Sequence, residues 1–157
     1  MAVRRRTDHG RRWLVAAGAL SAIAAALHLA IIAGGGDWYR FFGAGEGMAR
    51  MAERGYAYPT FMAIFIAAVL ATWAAFAFSG AGLIRRLPLL RTGLVAISLV
   101  YLGRACVLPY LLLIEPDLLS PFWVWSSAIV AIYGASYAIG TWLAWPGLGP
   151  AAGTATR

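Results

Sequence analysis

The chain has no lysine, one cysteine, two histidines and six acidic residues, and each shortage removes a class of function. Cys106, standing alone in an apolar run, excludes an intramolecular disulfide and a thiolate metal cluster. His9 lies in a basic N-terminal stretch, so His28 lacks a second well-placed histidine for a metal. HExxH, CxxC, GxSxG and P-loop patterns are all missing. The expectation is no metal, no cofactor and no catalytic residue recognisable by motif. Charge is equally scarce: 12% of the residues are charged, against about 25% in an ordinary soluble domain. That argues against a water-soluble domain.

Apolar residues take the place of the missing charge. They make up 62% of the chain and gather into four runs that meet the length of about 20 residues needed to cross ~30 Å of hydrocarbon. The runs are 13–33, 59–79, 87–113 and 122–145. Gly34-Gly35-Gly36 ends the first, Pro59 suits the first turn of the second, and Glu115-Pro116 with Pro121 brackets a tight connection between the last two. The expected fold is all-α: a polytopic membrane protein with a four-helix transmembrane bundle over 13–145. A basic tail, 1–12, precedes it and a flexible tail, 146–157, follows. A cleaved export signal at the N-terminus is the competing reading, but the first run exceeds the usual 7–15-residue apolar core of such a signal, and three more runs follow.

All 13 basic residues are arginine and the net charge is +7. Together with abundant alanine and glycine, this suggests a GC-rich bacterial genome and hence the bacterial cytoplasmic (inner) membrane. Nine arginines (4, 5, 6, 11, 12, 85, 86, 91 and 157) fall on the side of the termini, and Arg40, Arg50 and Arg54 on the other. By the positive-inside rule both termini are cytoplasmic. The same rule accounts for the basic clusters, so no nucleic-acid partner is implied. Trp13, Trp142 and Trp145 fit an inner aromatic belt, and Trp38, Tyr39, Tyr56, Tyr58, Trp123 and Trp125 an outer one.

Helices associate in lipid through close backbone approach, so small residues mark their contacts. Three stripes at i+4 spacing are the candidates: Gly18, Ala22, Ala26 and Ala30; Ala63, Ala67, Ala71 and Ala75; Val130, Gly134 and Ala138. One of them could instead serve a homodimer. Pro109 removes a backbone donor and predicts a kink or an end in the third span.

An ionisable residue inside hydrocarbon is a functional hypothesis by default. His28 and Arg104 qualify, and their positions along the runs suggest similar outward depth. Tyr101, one turn before Arg104, and Ser126 and Tyr133 on the last run extend a candidate polar binding site, with Glu46 as the expected partner of Arg104. The outer loop, 34–58, is dense in signals. Asp37, Trp38, Arg40 and Glu53 are its candidate functional residues, Asp37 capping an interfacial turn whose aromatics enter the headgroup boundary. Glu46 and Arg50 at i+4 predict a short amphipathic helix that covers the outer mouth.

The stretch DWYRFFGAGE at 37–46, then Tyr58-Pro59 and SGAGLIRRLPLL at 79–90, resembles a group of small four-span proteins of bacterial inner membranes over roughly residues 20–110. The resemblance implies fold and location and brings no activity with it. Size and span count are also similar to those of DoxX-like membrane proteins, some of which accompany respiratory or thiol-oxidising systems; that likeness is architectural and reaches no residue here. The functional expectation is a small non-catalytic accessory or lipid-associated membrane component. Its partners would be membrane lipids and another membrane protein or a second copy. The alternative is a small transporter or a lipid-modifying enzyme using His28 and Arg104.

Overall fold

The computed structural model describes residues 2–119 and 121–149, with backbone alone for 2–4 and 118. The expected tail beyond residue 149, Arg157 included, lies outside the described residues. Six α-helices run in the order α1 (Ala2–Phe41), α2 (Glu46–Glu53), α3 (Ala57–Gly80), α4 (Leu90–Ala105), α5 (Val107–Leu113) and α6 (Pro121–Ala144), with 3-10 turns at Pro116–Leu118 and Trp145–Leu148. There is no strand among the described residues. Four helical segments are long and apolar enough to cross a membrane: Arg5–Phe41, Ala57–Gly80, Leu90–Leu113 and Pro121–Leu148. The chain forms two compact units, one of Met1–Gly18 with Ala75–Arg157 and one of Ala19–Ala74.

Three boundaries differ from the sequence reading, each for a local reason, while the break in the third span is the one Pro109 predicts. The basic tail is not separate from the first span: α1 is helical from Ala2. α4 starts at Leu90 rather than at residue 87, because Pro88 and the left-handed Leu89 (φ 53°) occupy the entry. The third span is divided at Cys106 into α4 and α5. Pro109 has no N–H for the carbonyl of Ala105, and the break falls beside that released carbonyl. Past α6 the chain stays ordered through Leu148, which is buried.

In the first unit, pieces of all four spans meet around Leu14, which is fully buried. A Cβ added at Gly80 or at Gly140 would come within 3.0 Å of the Leu14 side chain. The two glycines therefore form the hollow that receives it, the close approach on which membrane helices depend. The carbonyls at the end of α6 are met by arginines. Arg6 reaches the Trp142 carbonyl (3.4 Å) and Arg91 the Trp145 carbonyl (2.9 Å). Each guanidinium also lies over the ring of the same tryptophan, at 4.6 and 4.7 Å. Cations at a helix C-terminus complement its dipole. The buried Ser79 ties down the α3–α4 loop, accepting from the Leu87 N–H (2.9 Å) and donating to the Arg85 carbonyl (3.2 Å).

The buried stripes correct the i+4 reading. On α1 the buried residues include Leu14, Ala17, Gly18, Ser21, Ala25 and Ile31, while Ala22 and Ala26 are exposed; on α3 they include Ala63, Ala67, Leu70, Ala74 and Ala77, while Ala71 is exposed. Four residues advance a helix about 40° beyond a full turn, so three such steps rotate a stripe off its face by about 120°. Alternating steps of three and four keep it in place. α6 follows the same alternation through Ser127, Gly134, Tyr137, Thr141 and Ala144.

Leu89 provides a direct test of backbone strain. Left-handed geometry is disfavoured by roughly 1–2 kcal/mol for a residue with a Cβ, while asparagine tolerates it. Leu89 is 78% exposed and has little packing to lose. Leu89→Asn is expected to raise stability by about 1 kcal/mol in detergent melts; a loss would show that its exposed side chain contributes more than the backbone strain removes.

Candidate functional site

The second unit builds the loop over residues 34–58 from its glycines upward. Gly35 breaks α1 with φ 64° and ψ −155°, a conformation that side chains avoid. The chain resumes as a helical turn, so the expected end of the span is a bend. Gly34 leaves room for the Trp38 ring and Gly36 for the Glu53 side chain, which a Cβ at either position would strike. Beyond the bend, Tyr39 turns inward, not to the interface: it is 4% exposed and packs with Ile31 and Ala49, flanked by Phe42, Met48 and Ala52. Its hydroxyl is buried without a hydrogen-bond partner. Trp38 and Phe41 remain on the surface, 42% and 74% exposed.

Arg40 is the centre of the loop. Its Nε donates to Glu46 Oε2 (2.8 Å) and its Nη2 to Glu46 Oε1 (3.2 Å), a two-pronged grip on one carboxylate. Its Nη1 reaches Glu53 Oε1 (2.6 Å) and Asp37 Oδ1 (3.2 Å). Arg50 adds the expected i+4 bond to Glu46 Oε1 (2.8 Å). The hydrogen bonds from Arg40, and then from Arg50, hold the Glu46 carboxyl down at about 2. Glu53 is lowered as well, chiefly by Arg40. Asp37 thus serves as an ion-pair partner, where a helix cap was expected.

The Arg40 network also corrects the expected partner of Arg104. Both Glu46 oxygens are taken by arginines of its own loop, and among the described residues every ion pair involves Arg40 or Arg50. Arg104, in the first unit, lies with its guanidinium 4.7 Å from the centre of the Trp123 ring and donates from Nη1 to Ser127 Oγ (3.3 Å). An aromatic face stabilises a guanidinium by about 0.5–2 kcal/mol, and among the described residues no carboxylate pairs with the Arg104 charge.

The remaining candidates separate by chemistry. Tyr101 packs against Tyr133 (5.4 Å, edge to face) and Tyr137 (5.6 Å), which makes this part of the first unit an aromatic cluster between α4 and α6. Ser126 Oγ is buried without a partner; its neighbour Ser127 is the serine that meets Arg104. Ser127 escaped the sequence reading and Trp123 entered it only as an outer-belt aromatic, although their i, i+4 spacing places them on one face of α6. In the second unit, His28 Nδ1 lies 2.8 Å from the Ala24 carbonyl. A carbonyl only accepts, so Nδ1 carries the proton in this bond, which ties the ring to its own helix. Among the described residues no group of three His, Cys, Asp or Glu side chains is placed to hold a metal ion. No protein-family model, no curated protein and no solved structure matches this chain.

Proposed function

We propose that the chain is a small multi-pass protein of the bacterial inner membrane, with both termini cytoplasmic. In this reading it is a non-catalytic accessory or lipid-associated component that acts through its outer loop. The observation that carries it is the Arg40 network. One guanidinium engages all three carboxylates of the loop while Trp38 and Phe41 stay exposed beside it. Carboxylates held by arginines, with Glu46 ionised down to about 2, are poor general acids and bases near neutral pH. Exposed aromatic rings on a bent helical turn suit the headgroup boundary, where one side of the ring is apolar and the other wet. The reading as a lipid-modifying enzyme or transporter through His28 and Arg104 has less support, because each of those side chains has local partners of its own.

The test is depth-dependent quenching in nanodiscs containing brominated lipids, comparing the natural chain with Trp38→Phe. Bromines near the headgroup should quench an emission component that Trp38→Phe lacks. If that component is instead quenched by aqueous iodide and not by bromolipid, the loop stands in water and the lipid-facing role is wrong.

A further inference from the structure

We propose that Arg104, Trp123 and Ser127 bind the phosphodiester of an anionic membrane lipid. Arg104 is in the last turn of α4, two residues before the division at Cys106, and Trp123 and Ser127 are in the first two turns of α6. The guanidinium has five N–H donors; one goes to Ser127, and the plane lies over the Trp123 ring. Ser127 is 2% exposed. Its oxygen accepts from Arg104 and so fixes the guanidinium in place over the Trp123 ring.

Arg104, held by Ser127 and Trp123, thus presents its remaining donors and a full positive charge. Among the described residues Arg104 makes no ion pair; Glu115 and Asp117, the acids nearest in sequence to α6, make none either. Donors without a matching acceptor define an anion site, and a planar guanidinium matches the paired oxygens of phosphate. The setting selects the source of that phosphate. Trp123 is the third residue of a membrane-spanning helix, the level at which tryptophan meets lipid headgroups. Gly103, next to Arg104, has nothing within 4 Å of where a Cβ would be, so the backbone there is open to an approaching lipid. A headgroup phosphate would complete the compensation that the aromatic ring begins. This assignment builds on the lipid-associated reading but rests on a separate surface. The bromolipid experiment reports Trp38 only, so either result can fail without the other.

The experiment is native mass spectrometry of the full chain released from detergent, titrated with phosphatidylglycerol and, separately, with phosphatidylcholine. The natural chain should retain phosphatidylglycerol over phosphatidylcholine. Arg104→Gln should lower that affinity by about tenfold or more, as expected for losing hydrogen bonds to a charged group. Arg104→Lys should recover only part of it, since an ammonium keeps the charge but not the planar fork. Ser127→Ala retains the charge and the ring and should weaken binding severalfold, a readout available even if Arg104→Gln fails to fold. Equal retention of phosphatidylglycerol by the natural chain, Arg104→Gln and Ser127→Ala would overturn the site. Displacement of the lipid by millimolar inorganic phosphate would overturn the lipid as its source, assigning the site to a free anion.

Discussion

Gly10→Ala is expected to destabilise the protein, although alanine is the better helix former. In an open helix interior the exchange gains about 1 kcal/mol. At Gly10 the new methyl would collide with the Ala144 backbone nitrogen and lie 2.8 Å from the Leu143 carbonyl carbon and 2.9 Å from the Ala144 Cα. All three are backbone atoms, so no side-chain rotation relieves the contact and one helix must move. Overpacking of this kind typically costs about 1–3 kcal/mol and occasionally more. With no side chain able to yield, the clash outweighs the propensity gain, and a net loss of up to about 2 kcal/mol should appear as a lower melting temperature in detergent. Gly47→Ala is the matched control. Gly47 is inside α2 and has nothing within 4 Å, so there the propensity gain of up to about 1 kcal/mol should stand alone. Equal effects at the two positions would mean that Gly10 does not sit against α6 in the membrane.

The importance of Gly10 was hidden in the sequence because the residue stands among Arg4, Arg5, Arg6, Arg11 and Arg12, where composition indicates a solvated tail. Helix formation from Ala2 makes it a buried contact instead. The spans themselves were legible, since about 20 apolar residues in a row permit little else. So was the Glu46–Arg50 pair, because i+4 is a short-range relation set by one helical turn. Arg40 was visible as a loop cation but not as the hub, since Glu53 is 13 positions away and only the turn through Gly43 and Gly45 (φ 77° and 90°) folds α2 back onto the end of α1. The small-residue stripes held only in part, with Gly18, Ala63, Ala67 and Gly134 buried, because a strict four-residue repeat drifts around the helix and the exposed Ala22, Ala26 and Ala71 mark the drift. The partners of Arg104 lie across a connection of uncertain path in sequence, yet Trp123 and Ser127 share a helical face that a search for aromatic cation partners would have selected.

Arg40→Ala should release the outer loop from its fold. α2 has eight residues, too few to hold as a helix in isolation, and its anchors are the Arg40 bonds to Glu46 and Glu53 together with the small cluster of Ile31, Tyr39 and Ala49. Without the guanidinium, Asp37, Glu46 and Glu53 lose their shared counter-ion and the attraction among them becomes repulsion. Hydrogen exchange, corrected for intrinsic rates, should show the α2 amides falling from protected to near-unstructured while those of α3 and α6 are unchanged. Arg40→Lys should restore little, because one ammonium cannot reproduce a grip on two Glu46 oxygens and a third contact to Glu53. Acid should imitate the substitution. The Glu46 carboxyl is at about 2 in the folded loop against an ordinary 4.5, and Glu53 is lowered in the same direction. A depressed folded value means that the contribution to stability is complete above about 4.5 and is lost as pH falls toward 2. Protection of α2 should therefore be flat from pH 8 to 5 and decline below 4.5, and in Arg40→Ala the decline should vanish. An α2 that keeps its protection in Arg40→Ala and at pH 3 would assign the loop's order to the apolar cluster and leave the ion pairs without a structural role.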